Sequence, residues 1–288
     1  MPDSLTQKDW DILVQRIKSK NCTPFLGAGA AYGVLPLGAE IAREWAQKYE
    51  YPLDDPFNLI AVAQFVALTT DPMAPKEEIV RMFKAKGKVP DFSDPTEPHG
   101  ALADLALPLY ITTNYDDFMT QALRSRDKDA RQELCRWNKF IDDQPSSLET
   151  GFVPTVANPV VFHLHGHIPI AESLVLTEDD YMDFLVNITR NEKLLPQRIQ
   201  KALMGSSLLF IGYRISDWNF RVLLKSLAGF LESGLRRTHF AVITPPTAAT
   251  DPMKQKAQDY LSEYYENIDV RVYWGTAREF TEELRQRL

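Results

Sequence analysis

Residues Ser207–Gly212 read SLLFIG, an apolar run with no polar alternation. Such a strand suits a site where both of its faces are covered, as inside a parallel sheet flanked by helices. Similar short runs recur at Thr23–Leu26, Leu109–Thr113, Val160–Leu164, His239–Thr244 and Asp269–Trp274, with helical stretches between them. Strands alternating with helices predict an α/β fold: a Rossmann-like, doubly wound parallel sheet of about six strands. Helices are predicted at Leu5–Lys20, Leu37–Tyr49, Phe57–Leu68, Lys76–Phe83, Tyr115–Leu123, Glu178–Phe184, Leu194–Met204, Asp217–Leu231 and Thr276–Leu288. Those between the first two strands are too many for a simple crossover. Residues 37–98 therefore read as a helical insert or lid, with 84–98 a loop. Residues 125–158 are charged and irregular, and no strand is predicted there.

Composition narrows the function classes. A chain of 288 residues, 44% apolar and 25% charged, builds its own core without covalent staples. Cys22 and Cys135 are the only cysteines, which excludes a disulfide scaffold and any four-cysteine zinc site. With no signal-peptide pattern and no long apolar run, a cytoplasmic, non-membrane protein is expected. A net charge of −7 argues against direct nucleic-acid binding, which needs a basic footprint. Without repeats or low-complexity tracts, residues 1–288 read as one nucleotide-binding domain.

Four motifs stand where predicted strands end, the place where open α/β sheets gather ligands. Gly27-Ala28-Gly29 opens GAGAAYG. Its glycines let backbone approach a phosphate, and a following helix start supplies a positive dipole end. The spacing departs from the dinucleotide fingerprint, and no acidic residue stands where a dehydrogenase holds its ribose. The alternative is a tight small-residue turn packing helix on sheet. Thr112-Thr113-Asn114-Tyr115-Asp116 offers hydroxyls, an amide and a carboxylate suited to a sugar. Its alternative is helix capping by Asn114. His163-Leu164-His165-Gly166-His167 holds three of the five histidines, which at period two share one face. A general base before a glycine is favoured over a metal site, because His99 and His239 sit in no ligand pattern. Ile211-Gly212-Tyr213-Arg214-Ile215-Ser216-Asp217 again runs from strand through glycine to a helix start that Ser216 or Asp217 caps; its alternative is a turn with no ligand.

Taken in order, GAG at 27–29, TTNYD at 112–116, HLHG at 163–166, LTEDDY at 176–181, IGYRISD at 211–217 and YWGTAREF at 273–280 resemble the sirtuin superfamily. They are most similar to its bacterial NAD-hydrolase branch in anti-phage defence. The resemblance implies a Rossmann-like sheet with a smaller helical module, and NAD as substrate without a metal. It places Gly27, Ala28 and Gly29 along the pyrophosphate and Asn114 at the nicotinamide ribose or the attacking water. Asp116 goes near the same ribose or the nicotinamide, and His165 is the base. Thr113 joins the cofactor-binding set, Gly212 and Tyr213 approach the adenosine half, and Gly275 the adenine; His163 and His167 take no role. Deacylating sirtuins carry two Cys-x-x-Cys pairs, a serine-rich continuation after GAG and an Asp-Phe-Arg segment, all missing here, so water is the expected acceptor.

The expected reaction is cleavage of the nicotinamide–ribose bond of NAD⁺ through an oxocarbenium-like centre, as in glycoside hydrolysis. Nicotinamide leaves neutral from a cationic precursor, so orientation, a base and charge stabilisation are what the protein must supply. An unperturbed histidine titrating near pH ~6.5 suits the base. Uncontrolled NAD loss is toxic, so the resemblance implies control by homo-oligomerisation or by a separate sensor such as a HerA-type ATPase or a short Argonaute. The chain ends close to its last predicted helix, which leaves sensing to such a partner or assembly. Competing classes are a non-catalytic NAD- or ADP-ribose-binding subunit, a deacylase and a metal-dependent hydrolase using the histidine cluster.

Overall fold

All the apolar runs become strands, and every pairing is parallel. The computed structural model describes residues 5–190, 194–213, 237–245 and 250–288. Its strands are β1 (Cys22–Leu26), β2 (Leu109–Thr112), β3 (Arg131–Leu134), β4 (Val160–His163), β5 (Ser207–Tyr213), β6 (His239–Ile243) and β7 (Val270–Trp274). They form one sheet in the order β3-β4-β2-β1-β5-β6-β7. Among the described residues the sheet thus has seven strands, against about six expected. The extra one, β3, lies inside 125–158, where no strand is expected. Its sequence, RQEL, is polar, and only Glu133 is buried. An edge strand pairs on one side only, so it lacks the apolar signature of a central strand.

The helices are α1 (Gln7–Lys18), α2 (Gly38–Lys48), α3 (Leu59–Thr69), α4 (Ala74–Lys86), α5 (Pro98–Ala103), α6 (Phe118–Arg124), α7 (Glu178–Arg190), α8 (Gln197–Gly205), α9 (Asp251–Glu266) and α10 (Ala277–Arg287). The short α5 and the whole of α9 are absent from the sequence reading, and α6 starts three residues later than expected. The predicted helix Asp217–Leu231 and its caps Ser216 and Asp217 lie outside the described residues.

Both faces of the sheet are covered. On one, Phe25, Ile111, Phe162 and Phe210 meet Phe184, Ile199, Leu203 and Tyr265 of α7, α8 and α9. On the other, Tyr110, Val161, Leu209 and Phe240 meet Trp10, Leu13, Leu102, Met119 and Phe280 of α1, α5, α6 and α10. Burying each such side chain contributes about 1.5–3 kcal/mol. Among the described residues, no helix is long and apolar enough to cross a membrane.

The insert has its own core. Ile41 and Trp45 of α2, Val62 and Val66 of α3 and Ile79 of α4 pack together and onto Leu174 and Leu176. A buried ion pair, Lys76 Nζ to Asp180 Oδ1 at 2.7 Å, ties α4 to α7. The other oxygen of Asp180 accepts from the amides of Leu176 and Thr177, at 3.1 and 3.0 Å. The insert core also takes in Tyr115, three residues past the carboxyl end of β2. A groove of about 600 Å³ separates residues 32–36 from Glu40, Glu44, Met82 and Ala85.

Candidate active site

The chain leaves β1 for β2 on one side, while β5 on the other side leads on to β6. The carboxyl ends of β1 and β5 therefore flank a topological switch point, where such sheets open a crevice. Gly27 stands at the end of β1, and a 3₁₀ turn follows at Ala28–Ala31. Gly27 N donates to Ile211 O at 2.8 Å, and Ala30 N to Gly27 O at 2.9 Å. A Cβ on Gly29 would meet Gly212 Cα at 2.9 Å, and one on Gly212 would meet Ala30 N at 2.4 Å. Gly212 also has φ +86°, a conformation open to glycine. The glycines thus let two strand-ends lie backbone on backbone, with Ala28 exposed at the lip. At the start of the turn, the amides of Ala28 and Gly29 have no acceptor within it, as an anionic phosphate requires.

Asn114 projects from the end of β2 into this junction. Its Nδ2 donates to Gly27 O at 3.1 Å, and its backbone N to Thr112 Oγ1 at 2.9 Å. Binding a carbonyl requires the NH₂ end of the amide, so Oδ1 is left as an acceptor. Asn114 is therefore not a helix cap. The capping contact comes from Asp116, whose Oδ1 accepts from Phe118 N at 3.0 Å. Asp116 is buried, which pushes its carboxyl above the ordinary range, while nearby His99 opposes the shift. That bond runs toward α6, not toward Asn114. Thr113 Oγ1 and Tyr213 OH lie 2.9 Å apart, and both reach Leu26 O. Tyr213 thereby folds back across β1, where a Cβ on Gly27 would strike its ring at 2.8 Å. Gly275 follows β7 and donates its N–H to Ile243 O at 3.0 Å, on the same sheet end but three strands from β1.

The three histidines do not share a face. β4 stops at His163, and Gly166, at φ +92° and tight against Ser173 O, turns the chain. His163 and His167 stack, with ring centroids 4.4 Å apart. His165 instead packs edge-on against Tyr181 at 5.3 Å and Phe184 at 4.9 Å. It is 4% exposed, and its Nε2 has no hydrogen-bond partner among the described residues. Burial pushes its pKa down to about 3, so it does not titrate near 6.5 as expected of an unperturbed ring; it is neutral at physiological pH.

Of the predicted residues, the structure brings Gly27, Gly29, Thr113, Asn114, Gly212 and Tyr213 into one contiguous junction. Asp116 and His165 face their own surroundings beside it. Sequence reasoning passed over the buried pair Glu97–His99, joined at 2.7 Å near Asp116. His163 and His167, which take no role in the sequence reading, lie stacked beside this junction, with His163 Nδ1 3.3 Å from Asn114 O. Among the described residues, no group of three or more His, Cys, Asp or Glu side chains is arranged to hold a metal ion.

Comparison with known proteins bears on the same residues. A SIR2-like domain family model matches residues 108–271, from the start of β2 into β7, including Asn114, His165 and Gly212. The chain is 24% identical over 236 residues to "NAD(+) hydrolase ThsA" of Acinetobacter baumannii (strain 532279), covering 81% of this chain and 44% of that protein. It is 23% identical over 241 residues to the protein of that name from Bacillus cereus (strain MSX-D12), covering 83% and 46%. Against "Defense-associated sirtuin 2" of Bacillus subtilis it is 24% identical over 193 residues, 65% of this chain and 17% of that protein. The chain spans less than half the length of these relatives. With more than half of its residues matched by the family model, on a parallel sheet that carries its glycine turn at the switch point, the chain belongs to the SIR2-like domain family.

Proposed function

We propose that this chain is an NAD⁺ glycohydrolase that cleaves the nicotinamide–ribose bond with water as acceptor, acting as an NAD-depleting effector of bacterial anti-phage defence. The observation that carries the reading is Asn114, fixed by Gly27 O at the β1/β5 crevice with its Oδ1 free to accept. The names of the relatives support the chemistry and the setting. In this reading the glycine turn seats the pyrophosphate. Asn114 Oδ1 accepts from the attacking water or a ribose hydroxyl and holds it below the anomeric carbon. Nicotinamide departs neutral, and the oxocarbenium centre is captured by water with little prior deprotonation, so a neutral imidazole at His165 suffices as proton acceptor. That role requires Tyr181 and Phe184 to uncover Nε2 when substrate binds. A cytoplasmic location and control by self-assembly or by a separate sensor protein belong to the same proposal.

A second reading, a non-catalytic NAD- or ADP-ribose-binding subunit, is favoured by one observation: His165 is sealed beneath aromatic rings. Following nicotinamide release from NAD⁺ over a range of protein concentrations separates the two. Release that is lost in His165→Ala supports the hydrolase. Binding of NAD⁺ without release at any concentration, with candidate partners present as well as absent, supports the subunit.

A further inference from the structure

We infer that His163 is a positioning residue that sets the backbone of Asn114 through a hydrogen bond from its Nδ1–H. The inference rests on the hydrolase reading of Asn114 and assigns a role to a side chain that this reading leaves idle.

His163 is fully buried at the end of β4, beside β2. Its Nδ1 lies 3.3 Å from the carbonyl oxygen of Asn114. A carbonyl only accepts, so Nδ1 carries the proton, and Nε2 is the bare lone pair of a neutral ring. Nε2 has no partner. An unsatisfied buried acceptor is unfavourable by about 1–3 kcal/mol. A phenylalanine of similar shape would avoid that loss, so packing alone does not account for a histidine here. What the imidazole adds is the donor to Asn114. His167 completes the support: its ring stacks on that of His163, and its Nε2 lies 3.3 Å from Gln132 Nε2 of the edge strand β3. Asn114 is thus held from two sides, its amide by Gly27 O and its carbonyl by His163. Both contacts fix the direction in which Oδ1 points, and small misplacement of such a group lowers turnover by about 100-fold.

The test compares His163→Phe, which keeps the ring but lacks the donor, with His163→Asn, whose Nδ2 falls near the place of Nδ1 but which packs worse. His163→Leu replaces the first if it is insoluble. Two readouts are taken: steady-state nicotinamide release, and hydrogen exchange of the peptide spanning residues 112–118. A positioning role predicts that His163→Phe loses kcat by about 10- to 100-fold with KM little changed, and that His163→Asn recovers most of it. It also predicts faster exchange at 112–118 in the phenylalanine variant, restored in the asparagine variant. A packing role predicts the reverse order, with phenylalanine the better substitute. That order, or wild-type kcat and exchange in His163→Phe, overturns the inference. If wild-type protein releases no nicotinamide, alone or with candidate partners, the hydrolase reading fails by itself, and the exchange readout still decides whether His163 holds Asn114.

Discussion

The residues that define the site are held by contacts narrow enough to test singly. Gly212 combines φ +86° with a missing Cβ that would lie 2.4 Å from Ala30 N and 2.5 Å from Gly27 O. Gly212→Ala should lose about 1–3 kcal/mol from the backbone conformation alone, and more from the clash, read as a lower urea midpoint. A midpoint equal to wild type would mean that the two strand-ends do not meet as described. Glycines at 27, 29 and 212 are legible in the sequence as a place of close approach. What they approach is not: part of their need comes from one another and from Tyr213, which no local spacing reveals. The histidines failed in the opposite way. A period-two pattern put three rings on one face, but the strand ends at His163 and the left-handed Gly166 breaks the alternation.

At the scale of elements, central strands announced themselves and the periphery did not. β1, β2, β4 and β5 are buried throughout or nearly so, and their apolar runs give them away. β3 is polar because it needs only one neighbour, and α5 is six residues opened by a proline and interrupted by Gly100. Within the insert, α4 is tied to α7 by the ion pair Lys76–Asp180. Lys76→Met leaves the Asp180 carboxylate without its cation at the start of α7. Removing one partner of a buried pair costs about 3–5 kcal/mol, so this variant should destabilise the α4–α7 contact by that order. Limited proteolysis of residues 70–90 checks it: faster cleavage than in wild type is expected, and an unchanged rate would show that the apolar contacts to Leu174 and Leu176 hold the insert alone.

The whole molecule carries buried, neutral histidines near the sheet. Desolvation pushes His163 and His165 down to about 3 and His239 to about 4. Their pKa values are depressed in the folded state, so the unfolded chain binds protons first as pH falls. Stability is therefore complete above about pH 6.5 and declines below it, by about 1.4 kcal/mol per pH unit for each such ring. Urea midpoints should fall steadily from about pH 7 to about pH 5, above the range where most carboxylates titrate. A flat profile there would place these rings in contact with water. The fold class, the order of motifs and the NAD-hydrolase resemblance were all legible at this scale because they depend on sequence order. The exact packing around His165 depends on α7 arriving from elsewhere in the chain, and it was not.

In the proposed reaction Asn114, held by Gly27 O through its side-chain amide and by His163 through its backbone carbonyl, directs the hydrolysis. Nicotinamide release from NAD⁺ by Asn114→Ala beside wild type tests it most directly, with near-ultraviolet circular dichroism confirming an unchanged fold. Release by the wild-type chain and a loss of at least about 100-fold in the variant are expected. Wild-type turnover by a folded Asn114→Ala protein would contradict that role.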